Sequence, residues 1–105
     1  IDFRGATGEP VFSAASGRVA HAGMLGGYGL LVEVDHGNGI VTRYAHLSRI
    51  DVKEGDMVGV GQRVGRIGST GRSTGPHLHY ETRINGEAVD PMRFLRAGIR
   101  LASAD

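Results

Sequence analysis

The sequence predicts a small all-β domain built on antiparallel sheet, and three observations carry that prediction. Eighteen glycines in 105 residues exceed average usage, and they fall between short β-like runs without forming a low-complexity tract. The candidate strands are Pro10 to Ala14, Gly17 to Ala22, Leu30 to Asp35, Ile40 to Leu47, Arg63 to Ile67 and His77 to Ile84. Their spacing of roughly ten residues suits a sheet or sandwich better than alternating βα units. Between the third and fourth runs, His36-Gly37-Asn38-Gly39 supplies the Asn-Gly chemistry of a tight hairpin. Leu30 to Asp35 and Ile40 to Leu47 should therefore pair antiparallel.

Composition narrows the possible functions. A chain of 105 residues that is 40% hydrophobic suits one core and leaves little room for a second. The formal charge of +1 and the dispersed Lys and Arg residues form no basic stripe, which argues against a nucleic-acid partner. No apolar run approaches the roughly 20 residues a membrane-spanning helix needs. Without cysteine, disulfides and thiolate zinc sites are excluded, and His, Asp and Glu are left as candidate metal ligands. The opening Ile1-Asp2-Phe3, without Met or a signal peptide, reads as a processed or truncated piece.

Toward the C terminus, Asp90 as N-cap, Pro91 at N1, the apolar Met92, Phe94, Leu95 and Ile99, and Gly98 predict a short helix docked on the sheet. The domain is expected to run over 1–101, with 102–105 a small polar tail. The stretch Val52 to Gln62 matches a V-x-x-G-D-x-V-x-x-G-Q turn pattern that resembles biotinyl and lipoyl carrier domains. The single lysine, Lys53, lies inside that turn, where no carrier hairpin would place it, so the match reads as a shared β-turn architecture.

Chemistry concentrates at Gly75-Pro76-His77-Leu78-His79-Tyr80-Glu81. On a strand, residues two apart share a face, so His77, His79 and Glu81 would line one surface and Leu78, Tyr80 and Thr82 the other. Two imidazoles so placed can reach one metal ion or its water, although spacing does not tell which is the ligand. Alternation along Ile40 to Leu47 puts Thr42, Tyr44 and His46 together on one face, opposite Val41, Ala45 and Leu47, so that a third imidazole emerges at a polar strand edge. The loop Gly68-Ser69-Thr70-Gly71-Arg72-Ser73-Thr74-Gly75 leads into the His-x-His strand, and its glycines permit positive φ and close backbone approach. It matches no Walker spacing and precedes a strand, which argues against a phosphate cradle. Glu81 could accept a hydrogen bond from His79 and orient it, or be a structurally paired glutamate. His21 and His36 read as structural or exposed. Asp35 and Asp51 sit at strand ends, where short carboxylates commonly bond backbone amides.

Taken together these stretches resemble the lysostaphin-type (LytM-domain) zinc metallopeptidases, which cut peptide cross-links in bacterial cell walls. The resemblance runs through Ile1-Asp2-Phe3, Gly8 to Val19, Gly27-Tyr28-Gly29, Val34-Asp35-His36-Gly37, Thr42-Arg43-Tyr44-Ala45-His46-Leu47, Val52 to Gln62, Gly68-Ser69-Thr70-Gly71 and Ser73 to Glu81. It implies a fold related to the duplicated hybrid motif barrel. It also implies Asp2 and His79 as zinc ligands, and His46 and His77 as catalytic residues flanking the water and the scissile carbonyl. A further ligand His is expected four residues before Asp2, upstream of Ile1, along with the first part of the domain.

On this reading the protein is a zinc-dependent endopeptidase that hydrolyses peptidoglycan cross-links with a metal-activated water, outside the cytoplasm. The glycine-rich loops at Gly26-Gly27 and before His77 would wall a narrow groove for an extended peptide of small or D-configured residues. The alternative from another class is a degenerate LytM domain, a non-catalytic protein partner that activates a separate cell-wall amidase.

Overall fold

The computed structural model describes residues 2–90, and the elements in that span are strands apart from one 3-10 turn at Gly26–Tyr28. In chain order they are β1 (Asp2–Arg4), β2 (Pro10–Phe12), β3 (Gly17–Met24), β4 (Leu30–Gly37), β5 (Ile40–Ile50), β6 (Met57–Val58), β7 (Arg63–Ile67), β8 (His77–Ile84) and β9 (Glu87–Val89). Each pairing between them is antiparallel. The all-β antiparallel expectation is met. The expected helix beginning at Pro91 and the tail lie outside the described residues.

One path of the sheet runs β1-β8-β5-β4-β3-β6, while β7 joins β2 to the far end of β5 and β9 flanks β8. The eleven-residue β5 is the element that makes this possible. Its first half lies between β4 and β8, and from Leu47 to Ile50 it pairs with β7. The Asn-Gly hairpin forms as the sequence requires: Asn38 (φ 53) and Gly39 (φ 76) occupy left-handed backbone, the conformation Asn and Gly tolerate best. Asp35 Oδ1 accepts the Gly37 N–H at 2.8 Å and closes the entry to the turn.

The core is built largely from β-branched residues that pack on pleated surfaces. Val11, Val19, Val32, Val34, Val58 and Val64 surround Tyr44, Leu47, Ile67 and Tyr80. The tyrosines meet across β5 and β8, with ring centroids 5.5 Å apart. Tyr44 also satisfies buried polar groups: its oxygen accepts the Ala14 N–H at 2.9 Å and lies 2.9 Å from the Thr42 hydroxyl. His36 extends this network. It sits 2.7 Å from the Ser16 carbonyl and 2.7 Å from Thr42 Oγ1.

The carrier-like turn has a purely architectural explanation. Asp56 accepts the Lys53 N–H on its side chain at 2.9 Å and the Val19 N–H on its carbonyl at 2.8 Å, while Gln62 Oε1 accepts the Gly59 N–H at 3.0 Å. Gly55 and Gly61 take positive φ, 91° and 75°. The Gly-Asp and Gly-Gln pairs therefore cap two turns, and Lys53 is merely exposed beside one of them.

Candidate metal centre and groove

Regular alternation places half of the site. On β8, Tyr80 and Thr82 are buried in the core and His77, His79 and Glu81 share the opposite face. Strand β1 brings Asp2 into register with His79 and Arg4 with His77. As a result, Asp2 Oδ1 lies 2.8 Å from His79 Nδ1 and 3.6 Å from His77 Nε2.

His46 arrives by a different route, and here the expected face assignment needs correction. Tyr44 pairs with Tyr80 and Ala45 with His79, so Thr42 and Tyr44 point into the core and do not form a polar edge. An undistorted β5 would send His46 the same way. Instead His46 adopts φ 59°, a left-handed conformation uncommon for non-glycine residues, at the start of a bulge between Leu47 and Arg49. Its ring then lies 5.0 Å from that of His77 and 5.9 Å from that of His79.

Thr70 holds His46 there. The Thr70 carbonyl accepts a hydrogen bond from His46 Nδ1 at 2.6 Å, and its hydroxyl bridges the Leu30 N–H (3.0 Å) and the Leu47 carbonyl (2.7 Å). The flanking glycines permit the approach. A Cβ on Gly71 would stand 2.4 Å from Gly29 N, and one on Gly29 2.4 Å from Thr70 C. The two glycine-rich loops are thus fastened backbone to backbone, with the Arg72 N–H donating to the Gly27 carbonyl at 2.8 Å.

A second network stands behind His79. Its Nε2 donates to Glu81 Oε2 at 3.0 Å, and Arg83 binds the other carboxylate oxygen at 2.9 Å. Burial pushes the Glu81 carboxyl upward, but hydrogen bonds from Tyr28, His79 and Arg83 outweigh it and hold the group below the usual glutamate range. Tyr28 is braced in turn by Arg43, whose guanidinium lies over its ring and pairs with Glu33 at 2.6 Å. Glu81 contacts both His79 and Arg83, so these contacts accommodate both readings of it, a partner that orients His79 and a structurally paired glutamate.

The remaining carboxylates and imidazoles are occupied elsewhere. His21 lies 3.2 Å from the Gly23 carbonyl and 3.7 Å from Glu54, and Asp51 pairs with the guanidinium groups of Arg49 and Arg63 where a backbone amide was expected. The hydrogen bond to His79 holds the Asp2 carboxyl below the ordinary aspartate range. Two hollows flank the histidines. One, of about 240 Å³, is lined by Gly27, Tyr28, His46, Arg72 and His79; the other, of about 280 Å³, by Asp2, Arg4, Thr74, Gly75, Pro76 and His77.

The donor chemistry fits a zinc ion. Both ring nitrogens of His79 face carboxylate oxygens, Nε2 that of Glu81 at 3.0 Å and Nδ1 that of Asp2 at 2.8 Å; with a proton on Nε2, a cation between Nδ1 and Asp2 would take the place of the proton they share. Among the described residues no group of three His, Asp or Glu side chains is arranged to hold a metal. Asp2 and His79, whose donor atoms lie 2.8 Å apart, are the pair that could hold one, as two of the three protein ligands a catalytic zinc keeps.

The chain matches the model of Peptidase family M23 over residues 1–91 and belongs to that family. It is 48% identical over 105 residues to the DD-carboxypeptidase/endopeptidase Mpg of Neisseria meningitidis, covering all of this chain and 24% of that protein. It is 45% identical over 103 residues to the Peptidoglycan DD-endopeptidase ShyA of Vibrio cholerae, covering 98% of this chain and 23% of that protein. The chain thus spans about a quarter of the length of these curated relatives. Among solved structures, the catalytic domain of the antimicrobial peptidase lysostaphin from Staphylococcus simulans superposes with a TM-score of 0.86 at 40% identity, covering 90% of this chain and 76% of that one. A zinc-containing peptidase from Vibrio cholerae gives 0.84 at 40% identity, covering 87% and 28%.

Proposed function

We propose that this domain is the catalytic unit of a zinc-dependent endopeptidase that hydrolyses peptide cross-links of bacterial peptidoglycan. The observation that carries the reading is the convergence of His46, His77 and His79 with Asp2 between the two hollows, on a fold whose relatives include peptidoglycan endopeptidases. Asp2 and His79 hold the metal. When bound, zinc supplies Lewis acidity, polarising a carbonyl and making water acidic near neutral pH.

The chain's own residues do the rest. A carbonyl oxygen can only accept, so the bond to Thr70 fixes the His46 proton on Nδ1 and leaves the Nε2 lone pair free. The Gly75 carbonyl, 2.9 Å from His77 Nδ1, does the same for His77. Two Nε2 atoms are therefore available in the groove. One takes the proton of the attacking water and delivers it to the leaving amine; the other, carrying a second proton taken up from solvent at Nε2, donates from that atom to the oxyanion of the tetrahedral intermediate. Substrate of this kind places the enzyme outside the cytoplasmic membrane, in the periplasm, envelope or medium.

The test is to incubate the zinc-loaded full-length protein with purified peptidoglycan and follow released fragments by mass spectrometry. New peptide termini at cross-links are expected. A protein that holds zinc stoichiometrically yet leaves every cross-link intact would sink the enzyme reading. The second reading, a non-catalytic activator of a cell-wall amidase, draws on the two-donor count within residues 2–90. It expects a full-length protein that lacks zinc, leaves cross-links uncut and accelerates an amidase.

A further inference from the structure

The groove carries a cation that the chemistry above does not use. Arg72 lines the 240 Å³ hollow beside Tyr28, His46 and His79, and its guanidinium makes no hydrogen bond or ion pair with the described residues. The nearby carboxylates are already engaged: Glu33 with Arg43, Glu81 with His79 and Arg83, Asp2 with His79. Arg72 is exposed, and two contacts set the direction in which its side chain leaves the backbone. Its N–H is tied to the Gly27 carbonyl at 2.8 Å, and its stem lies along Gly27, where a Cβ would meet Cδ at 3.3 Å and Cγ at 3.5 Å. The stem thus leaves the backbone along the groove wall, and the guanidinium at its end is open to a ligand in the hollow.

Building on the peptidase reading, we propose that Arg72 is a specificity-determining residue that binds a free carboxylate of the peptide substrate close to the scissile bond. A guanidinium matches a carboxylate bidentately, and such charge-assisted pairs are the strong ones. The substrate class follows: acidic peptides with an unamidated carboxylate within a residue or two of the cut. That carboxylate is either the peptide's own C terminus or an acidic branch on an interior residue.

The experiment compares three peptides that differ only in amidation: both carboxylates free, C terminus amidated, and interior acid amidated. Cleavage is followed with the zinc-loaded full-length protein, and binding with its His46→Ala form, each with and without Arg72→Gln or Arg72→Lys. Amidating the recognised carboxylate is expected to weaken kcat/KM and binding by about 10- to 100-fold, mostly through KM, and the sensitive peptide identifies which carboxylate is read. Arg72→Gln should reduce that preference to within about twofold, and Arg72→Lys should restore part of it. Equal cleavage and binding of all three peptides by the wild-type protein overturns the proposal while leaving the peptidase reading standing. Carboxylate-dependent binding that Arg72→Gln removes, without any cleavage, keeps Arg72 as a carboxylate-binding residue but overturns its role in cleavage specificity together with the peptidase reading. A preference that survives Arg72→Gln overturns the assignment to Arg72.

Discussion

The two faces of the β5–β8 pair are made by different means. On the core face, Thr42, Tyr44, Tyr80 and Thr82 follow strict alternation and are almost wholly buried. On the groove face, His77, His79 and Glu81 also follow it, but His46 joins them only through a left-handed residue and a bulge. Chemistry here is thus one regular strand set against one deliberate irregularity. The first face fills the core, and the second gathers the imidazoles and carboxylates.

The sharpest way to break this contrast is to remove the imidazoles. His46→Ala or His77→Ala should lower hydrolysis by about 10²- to 10⁴-fold with zinc retained, whereas Asp2→Ala or His79→Ala should lose the metal, as read by elemental analysis beside the rate assay. If His77→Ala strips the zinc, the roles of His77 and His79 are exchanged.

Next in size is the support behind the metal ligand. Glu81→Gln weakens the acceptor for His79 Nε2 and should lower zinc affinity or turnover by about 10- to 100-fold, measurable by competition with a chromophoric chelator.

On the core face, Tyr44→Phe leaves the Ala14 N–H without its acceptor and the Thr42 hydroxyl with His36 alone and should cost about 1–3 kcal/mol, seen as a drop in Tm. The sign of its pH dependence is fixed. Burial raises both Tyr44 and Tyr80 above the ordinary value of 10.0, against opposing hydrogen bonds. Their contribution is therefore complete below about pH 10 and is lost as the pH climbs toward their folded values. Wild-type Tm should fall in alkali, and less steeply in Tyr44→Phe. The smallest effect belongs to the carrier-like turn. Lys53→Ala should shift stability by no more than about 0.5 kcal/mol and leave hydrolysis as it was.

These differences in regularity decide what could be read from the sequence. The β8 face assignment, the Asn-Gly hairpin and the six main strands follow from period-two patterning and turn chemistry, which are local. Strands β1, β6 and β9 are only two or three residues long, too short for alternation to register, and exist because longer neighbours pair with them. The pairing of Asp2 with His79 spans 77 positions and entered through family resemblance, because spacing does not encode it. Thr70, Tyr28 and Arg43 were not recognised as supports. Their roles depend on two loops meeting, and the visible signal was only a pair of glycine-rich segments. The side on which His46 emerges was hidden for a related reason, since a single positive φ overrides the pleat and no residue type announces it.

The bond between His46 and the Thr70 carbonyl ties the imidazole to the seam between the two glycine-rich loops. The carbonyl that fixes the imidazole proton belongs to the same loop whose next residues, Gly71 and Arg72, are fastened against Gly27 and Gly29. A side chain placed at Gly29 or Gly71 would part the loops and carry the Thr70 carbonyl away with them, stretching the 2.6 Å bond and freeing the ring to turn. The orientation of one imidazole is thereby tied to two glycines that never touch it.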